Sequence, residues 1–312
     1  MIDIIIPNYN GAELLPTCLD ALRRQTRQDF CIVVVDDAST DNSCELLATH
    51  YPEVQIIVQP QNRGLAAAVN TAFHATGGEY VVLLNNDTEA HPRWLEWLIG
   101  ALERYPNYSF AASKLMLFDR RDHIHSAGDY YRPNGVPGNR GVWQRDVGQY
   151  DVVEEIFGPC AGAAAYRRSA LEALAEGDWV LDEDLVMYCE DVDLNLRARL
   201  QGFRTIYEPR AVVYHRLSAT GGGALASYYC GRNFPLVWVK NLPGRLLLRY
   251  APAMIRAQLG FLLHSLYHIR EPAARARIRG QWASLSALPH FLRKRSRRSA
   301  KINESTAALL VS

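Results

Sequence analysis

The sequence predicts an α/β protein: a mainly parallel sheet flanked by helices, with a helical extension at its C-terminal end. Three observations predict it. Short apolar, β-branched runs recur at residues 3–6, 31–35, 54–58 and 80–84. Helix-like stretches at 12–24, 43–50, 65–75 and 92–105 alternate with them, and strand–helix alternation makes βαβ units. Residues 32–35 and 81–84 are apolar at every position, as strands covered on both faces must be.

The rest of the chain follows in order. Residues 119–151 are rich in Gly, Pro, Asn and Arg and carry no periodicity, so a long irregular insertion with a short hairpin is expected. Residues 158–175 read as a glycine-rich turn leading into a helix. Residues 190–201 read as another helix, stopped by Gly202. From Gly244 onward the pattern is helical. Two units are expected: residues 1–243, with two halves meeting at about 110, and a basic extension over 244–312.

Charge divides the chain the same way. From Lys240 on there are 14 Lys and Arg and two acids, Glu271 and Glu304; the first 239 residues hold 20 basic and 31 acidic residues. An acidic body with a basic arm suggests an anionic surface as the arm's partner. In residues 246–269 the longest interval free of full charges is 13 residues, short of the roughly 20 a spanning helix needs. Arg245, Arg249 and Arg256 share one face, while Phe261, Leu262, Leu266 and Ile269 offer apolar cover. The pattern suits a helix lying on a membrane, and equally one packed on the protein. Arg293, Lys294, Arg295, Arg297 and Arg298 favour the anionic membrane. The six cysteines are scattered without a CxxC pair, which argues against a zinc site or disulfide scaffold and suits a reduced, cytoplasmic protein. The first residues lack the basic region of a signal peptide. No nucleic-acid partner is expected.

Ligands of open α/β sheets sit beyond the carboxyl ends of the strands. There the sequence places Pro7-Asn8-Tyr9-Asn10-Gly11, Asp36-Asp37-Ala38-Ser39 and Asn85-Asn86-Asp87. Asp36 and Asp37 suit hydroxyl or imide hydrogen bonds, although Ser39 or Asp41 reads equally as a helix cap. Asp87 suits a divalent cation shared with substrate phosphates, or a plain turn. In Glu190-Asp191-Val192-Asp193, acids in a first helical turn answer the macrodipole, and Asp193 pairs with Arg197 at i, i+4. Asp191 remains as a base for an attacking hydroxyl. Trp143 and Trp179 suit stacking on a ligand face or core packing.

In order and spacing, Ile4-Ile5-Ile6-Pro7-Asn8-Tyr9-Asn10, Val35-Asp36-Asp37-Ala38-Ser39, Asn62-Arg63-Gly64, Leu84-Asn85-Asn86-Asp87 and Glu190-Asp191 resemble family 2 glycosyltransferases of the GT-A fold. Tyr214-His215-Arg216-Leu217-Ser218-Ala219-Thr220 and Tyr229-Cys230-Gly231-Arg232-Asn233 resemble the bacterial rhamnosyltransferase-like branch. The resemblance implies a Rossmann-like sheet and an inverting transfer from a nucleotide-diphosphate sugar, with residues 1 to about 110 as the nucleotide-binding half and about 111–243 as the acceptor half. Pro7 and Tyr9 would frame the base, with Asp37 bonded to it and Asp36 near the ribose. Asn62, Arg63 and Gly64 would line the nucleotide or diphosphate, with Asn86 among the donor contacts. Asp87 and His215 would hold Mg²⁺ or Mn²⁺; Asn85 stands where the family's metal motif has its first acid. Asp191 would be the base, with Cys160, Gly162, Glu190 and Arg232 at the acceptor or diphosphate.

The expected acceptor is a glycan or lipid-linked glycan of an envelope polysaccharide, met at the inner face of the cell membrane, and the expected donor sugar is rhamnose. A sugar nucleotidyltransferase would use a similar sheet, but with a glycine-rich phosphate loop that residues 7–11 do not make. A non-catalytic glycan-binding module would have no use for Asp37, Asp87 and Asp191 together.

Overall fold

The computed structural model describes residues 1–216 and 223–295. The first half runs β1 (Ile2–Asn8), α1 (Leu15–Arg23), β2 (Phe30–Asp36), α2 (Ser43–His50), β3 (Gln55–Val58), α3 (Leu65–Ala75), β4 (Tyr80–Leu84), β5 (Thr88–Ala90), α4 (Trp94–Arg104). Next come β6 (Phe110–Leu117), β7 (Ile124–Ser126), β8 (Asp129–Tyr131), β9 (Pro137–Asn139), β10 (Glu154–Ile156), β11 (Ala163–Arg167) and α5 (Arg168–Leu174). A 3₁₀ turn (Glu183–Leu185) precedes α6 (Glu190–Leu200), β12 (Thr205–His215), α7 (Ala224–Asn241), α8 (Gly244–Tyr267) and α9 (Pro272–Lys294).

The main sheet has the order β10-β12-β6-β11-β4-β1-β2-β3, with β5 beside β12 and β7 beside β6. The β3-β2-β1-β4 half is parallel as expected. Beyond β4 the sheet is mixed: β11 is antiparallel to both β4 and β6, while β6 and β12 are parallel. Residues 158–175 therefore hold a central strand before their helix. Ala163, Ala164 and Ala165 favour helix by propensity, yet they are fully buried here, and small side chains suit a strand covered on both faces. The expected hairpin in the irregular insertion is β8–β9.

Alternation along β1 feeds two core layers. Ile4 and Ile6 pack with Leu19 of α1 and Trp94 and Leu98 of α4. Ile5 packs with Ala68 and Phe73 of α3, Leu171 of α5 and Leu194 of α6.

A third cluster crosses the boundary expected at residue 243. It joins Leu196 and Leu200 of α6 to Leu236 and Trp238 of α7, Leu246 of α8 and Phe291 of α9. Helix α9 folds back along α7. A Cβ at Gly280 would fall 2.1 Å from the Tyr228 carbonyl oxygen, so the backbones touch where only glycine fits. The extension shares a core with the acceptor half.

Ions complete this junction. Lys240 Nζ, sealed from solvent, contacts Asp182 Oδ2 at 2.7 Å and Asp193 Oδ2 at 2.8 Å. Asp193 also takes Arg197 Nε at 3.0 Å and Asn241 Nδ2 at 2.7 Å. The i, i+4 pair read from the sequence is thus present, but buried. Lys294 reaches Asp182 at 2.6 Å, and Arg295 reaches the Leu242 carbonyl at 2.6 Å. These two residues of the expected membrane-binding cluster are spent on the protein instead; Arg297 and Arg298 lie outside the described residues. Trp179 lies under the ammonium of Lys240, 4.6 Å from its ring centroid, and serves this cluster. Trp143 is exposed.

Candidate active site

Strands β1, β2 and β4 end together, and a network of side chains ties their ends. Asn8 Nδ2 donates to Asp36 Oδ2 at 2.9 Å, the Ser39 amide donates to Asp36 Oδ1 at 2.9 Å, and Asn86 Nδ2 donates to Asn8 Oδ1 at 2.8 Å. Asp37 accepts from the amides of Arg63 and Gly64 at 2.8 and 2.7 Å. Asp36, Asp37 and Asn86 are buried. All three are expected at the donor, and here they also hold the loops, because polar groups at buried strand ends must find partners. The loop held by Asp37 crosses to the acceptor half: Arg63 Nη2 lies 2.6 Å from Glu183 Oε2. Asn62 is exposed, and Tyr9 is 46 % exposed on the open edge, with Pro7 partly covered behind it.

The register of β12 brings Asp87 to His215. Thr88 of β5 pairs with His215 at the end of β12, and the Arg216 amide donates to the Asp87 carbonyl at 2.9 Å. Asp87 Oδ1 then lies 3.0 Å from His215 Nε2, with both side chains buried. Among the described residues that oxygen nevertheless accepts no hydrogen bond. A carboxylate oxygen and a ring nitrogen whose lone pairs converge without bonding each other fit a divalent cation. An oxygen–nitrogen pair completed by phosphate oxygens suits Mn²⁺ or Mg²⁺. Behind His215, its Nδ1 lies 2.9 Å from Nδ1 of His125. Burial, with His215 alongside, pushes the His125 pKa down to about 3.

Segment 160–162 links this pair to the Glu190-Asp191 turn. A Cβ at Gly162 would sit 3.4 Å from Asn85 Nδ2 and 3.6 Å from His215 Cε1. One residue earlier, the Ala161 amide donates to Asp191 Oδ2 at 3.3 Å. Asp191 is partly exposed at the start of α6. Burial raises its pKa, opposed by the Ala161 and Val192 amides. Glu190 is buried with Oε2 unpartnered among the described residues, and desolvation, then the Asp191 charge, pushes its pKa up to about 8. Because the Asp191 charge is among the causes that raise Glu190 and Asp129, Asp191 is the first of the three carboxyls to lose its proton.

Asp129 of β8 joins this group: its carboxylate, the Cys160 thiol and the Asp191 carboxylate lie within 4.8 Å of one another. Asp129 accepts from Asn139 Nδ2 at 2.9 Å and is held protonated well above the carboxylate range by burial and by Asp191. Burial likewise pushes up the Cys160 thiol, beside Asp129 and Asp191, which keeps it unreactive.

The turn before Glu190 is held in an uncommon shape. Val186, Tyr188 and Cys189 have φ of 64°, 62° and 71°, a left-handed region costly for side chains. The Asn233 amide spans it, donating to the carbonyls of Leu185, Met187 and Tyr188 at 3.0, 3.0 and 2.7 Å. Arg232, expected at a diphosphate, instead bonds the Asp184 carbonyl at 3.0 Å and Asn233 Oδ1 at 2.8 Å. Of residues 214–220, Leu217 to Thr220 lie outside the described residues.

Sequence reasoning missed Asp129, His125 and the role of Asn233. Asn233 stood in a motif without an assigned task, and the other two lie in the aperiodic insertion, where no pattern marked them.

The glycosyl transferase family 2 profile matches residues 3–175. Glycosyltransferase AglE of Haloferax volcanii is 33% identical over 100 residues, 30% of this chain and 33% of that protein. EpsE of Bacillus subtilis is 26% identical over 207 residues, 65% of this chain and 68% of that one. The aligned residues span a third or less of the first relatives matched. Among solved structures, the mannosyltransferase PcManGT of Pyrobaculum calidifontis, in complex with GDP-Man and Mn²⁺, superposes with a TM-score of 0.54 at 20% identity, covering 99% of this chain and 78% of that one. GalNAc-T7 with UDP, GalNAc and Mn²⁺ gives 0.60 at 15% identity, covering 76% and 47%. These likenesses are of fold, and the fold is that of GT-A glycosyltransferases. With more than half of its residues inside the matched profile, and its acidic strand ends where that fold keeps its ligands, the chain belongs to glycosyl transferase family 2.

Proposed function

We propose that this protein is an inverting glycosyltransferase that moves a sugar from a nucleotide-diphosphate donor to a hydroxyl of a glycan or lipid-linked glycan. One observation carries the reading: segment 160–162 joins a cation-competent pair, Asp87 and His215, to the carboxyl group of Asp191. The two chemical needs of the reaction, a sink for leaving-group charge and a base for the acceptor, thus stand on one short stretch of backbone. Asp191 takes the acceptor proton as the hydroxyl attacks the anomeric carbon from the face opposite the diphosphate, so no second carboxylate nucleophile is required. The Asp191 charge raises both Glu190 and Asp129, so Asp191 is the first of the group to lose its proton. Asp87 and His215 would hold Mg²⁺ or Mn²⁺, which when bound neutralises charge on the departing diphosphate. Tyr9 and Pro7 flank the base; Asn62, Arg63 and Gly64, with their loop pinned by Asp37, line the phosphates.

The preferred donor is a dTDP-linked rhamnose and the acceptor a lipid-linked envelope glycan. The C-terminal hairpin supports delivery to an anionic, inner membrane surface. Helix α8 is long and apolar enough, by length and composition, to cross a membrane, and none of its apolar window is buried. Its exposed Leu248, Ile255, Leu259, Leu263 and Leu266 follow one face, with Trp282 and Leu285 on α9. Because α9 docks along α7, α8 lies beside the body, which favours lying on the membrane over spanning it.

Full-length protein should release nucleoside diphosphate from one of a panel of nucleotide sugars in the presence of Mn²⁺, with product of opposite anomeric configuration by NMR. Retention of configuration would sink the inverting mechanism. Turnover of sugar 1-phosphate with nucleoside triphosphate, and of no nucleotide sugar, would make the protein a nucleotidyltransferase.

A further inference from the structure

We propose that His125 is a positioning residue for the cation site, fixing the ring of His215 so that its Nε2 lone pair points to the position facing Asp87. The inference rests on the reading of Asp87 and His215 as cation ligands and names a residue that reading does not require.

The placement of His125 is a product of strand register. Leu115 of β6 pairs with Ser126 of β7, but Met116 pairs with Ile124. One step on β6 is matched by two on β7, so His125 is the extra residue of a β-bulge. Bulges re-aim a side chain that regular pleating would send elsewhere. Here the imidazole goes to the ring of His215, with centroids 4.8 Å apart, planes 40° apart and Nδ1 to Nδ1 2.9 Å. Both residues are buried.

Hydrogen accounting fixes the sense of this contact. Between two Nδ1 atoms at 2.9 Å, one carries the hydrogen and the other accepts it. On its far side, His215 Nε2 is 3.0 Å from Asp87 Oδ1, which accepts no hydrogen bond among the described residues, and the Asn85 amide Nδ2, which can only donate, lies 3.4 Å from the same Nε2. Nε2 is therefore the bare nitrogen. The hydrogen of His215 sits on Nδ1 and is donated to His125 Nδ1. A ligating histidine commonly gives its second N–H to an acceptor that sets ring orientation and tautomer. A neutral imidazole fills that role here, where a carboxylate or carbonyl is more usual.

Titration of Mn²⁺ alone into the full-length protein, with free Mn²⁺ read by EPR, tests the proposal. Wild type should bind, and His215→Ala should not. His125→Leu should weaken Mn²⁺ binding about 10–100-fold, the usual range for loss of such a partner. His125→Asn, whose amide reaches the same place as Nδ1 and can accept from His215, should bind within about threefold of wild type, a rescue that a packing role alone would not give. Equal affinity of His125→Leu and wild type would overturn the proposal, as would failure of His125→Asn to restore binding while its melting temperature is unchanged. Wild type that binds no Mn²⁺, or binds it equally after His215→Ala, would overturn the cation reading and this proposal together. If His125→Leu does not fold, ¹⁵N–¹H correlation spectra of metal-free wild type decide. His215 should show protonated Nδ1 and bare Nε2; the opposite tautomer would refute the assignment.

Discussion

Lys240 at the end of α7 and Asp193 on α6 form an ion pair closed to solvent, with Nζ 2.9 and 2.8 Å from the two carboxylate oxygens. Asp193 lies two residues beyond Asp191, so the cation that neutralises it also anchors the helix carrying the proposed base.

Lys240→Met should therefore be strongly destabilising. Removing one partner of a buried pair typically costs about 3–5 kcal/mol, because the remaining charge is left uncompensated. Asp182 and Asp193 would both lose their shared cation. Urea unfolding of the variant against wild type measures this; a loss under about 1 kcal/mol would show that Arg197 and Lys294 suffice. Truncation after residue 243 should fail to yield a stable body, since it removes Phe291 and Lys294 from the junction.

Asp191→Asn should lower the rate of transfer by about 10²–10⁴, the usual contribution of a general base, with donor affinity near wild type. Glu190→Gln should keep most activity, because Glu190 is already neutral at pH 7. The reverse ranking in a steady-state assay would move the base to Glu190.

Stability should fall as pH rises because of Glu190. Its native pKa of about 8 lies above its ordinary value of 4.5, so between these pH values the native state binds more protons than the unfolded state. Its stabilising contribution is complete below about 4.5 and is lost as pH approaches about 8. Glu190→Gln cannot titrate, so its melting temperature should gain on wild type over that window. Parallel curves would show that Glu190 ionises normally in the folded protein.

Asp87→Ala should weaken donor binding more with Mn²⁺ present than in EDTA. Calorimetric titration under both conditions measures the difference; equal losses would make Asp87 a turn residue or a direct sugar contact.

Binding to anionic vesicles should fall as salt rises, since screening has a Debye length of about 8 Å at physiological ionic strength. It should also weaken in Trp282→Ala, which removes the 68 % exposed ring of α9 without touching the core. Full-length protein that ignores anionic vesicles at low salt would leave the exposed α8 face to another partner.

The first half was legible because its signals are local. Runs such as Val81-Val82-Leu83-Leu84 are apolar at every position and end in polar turns, and burial on two faces demands both features. Residues 163–167 gave no such signal: alanines carry little preference for burial in a strand, and neighbours from β4 and β6 decided their state. Asp36, Asp37 and Asn86 were read as facing a ligand because of where they stand in the chain. The structure adds that they also close the loops, Asp36 and Asp37 through the amides of Ser39, Arg63 and Gly64 and Asn86 through the Asn8 side chain.

The order of elements in the nucleotide half, the acidic strand ends, the candidate base at the head of α6 and the basic character of the last 73 residues were all determined by the sequence itself. They depend on spacing, composition and periodicity within short windows. Tertiary structure alone decided that Asp87 meets His215, 128 positions away, that a bulge brings His125 behind it, and that α9 returns to α7 to anchor α6. Each depends on strand register or on the partner of a buried charge. Those are settled by the sum of burial and hydrogen bonding over distant segments, which no short stretch of chain encodes.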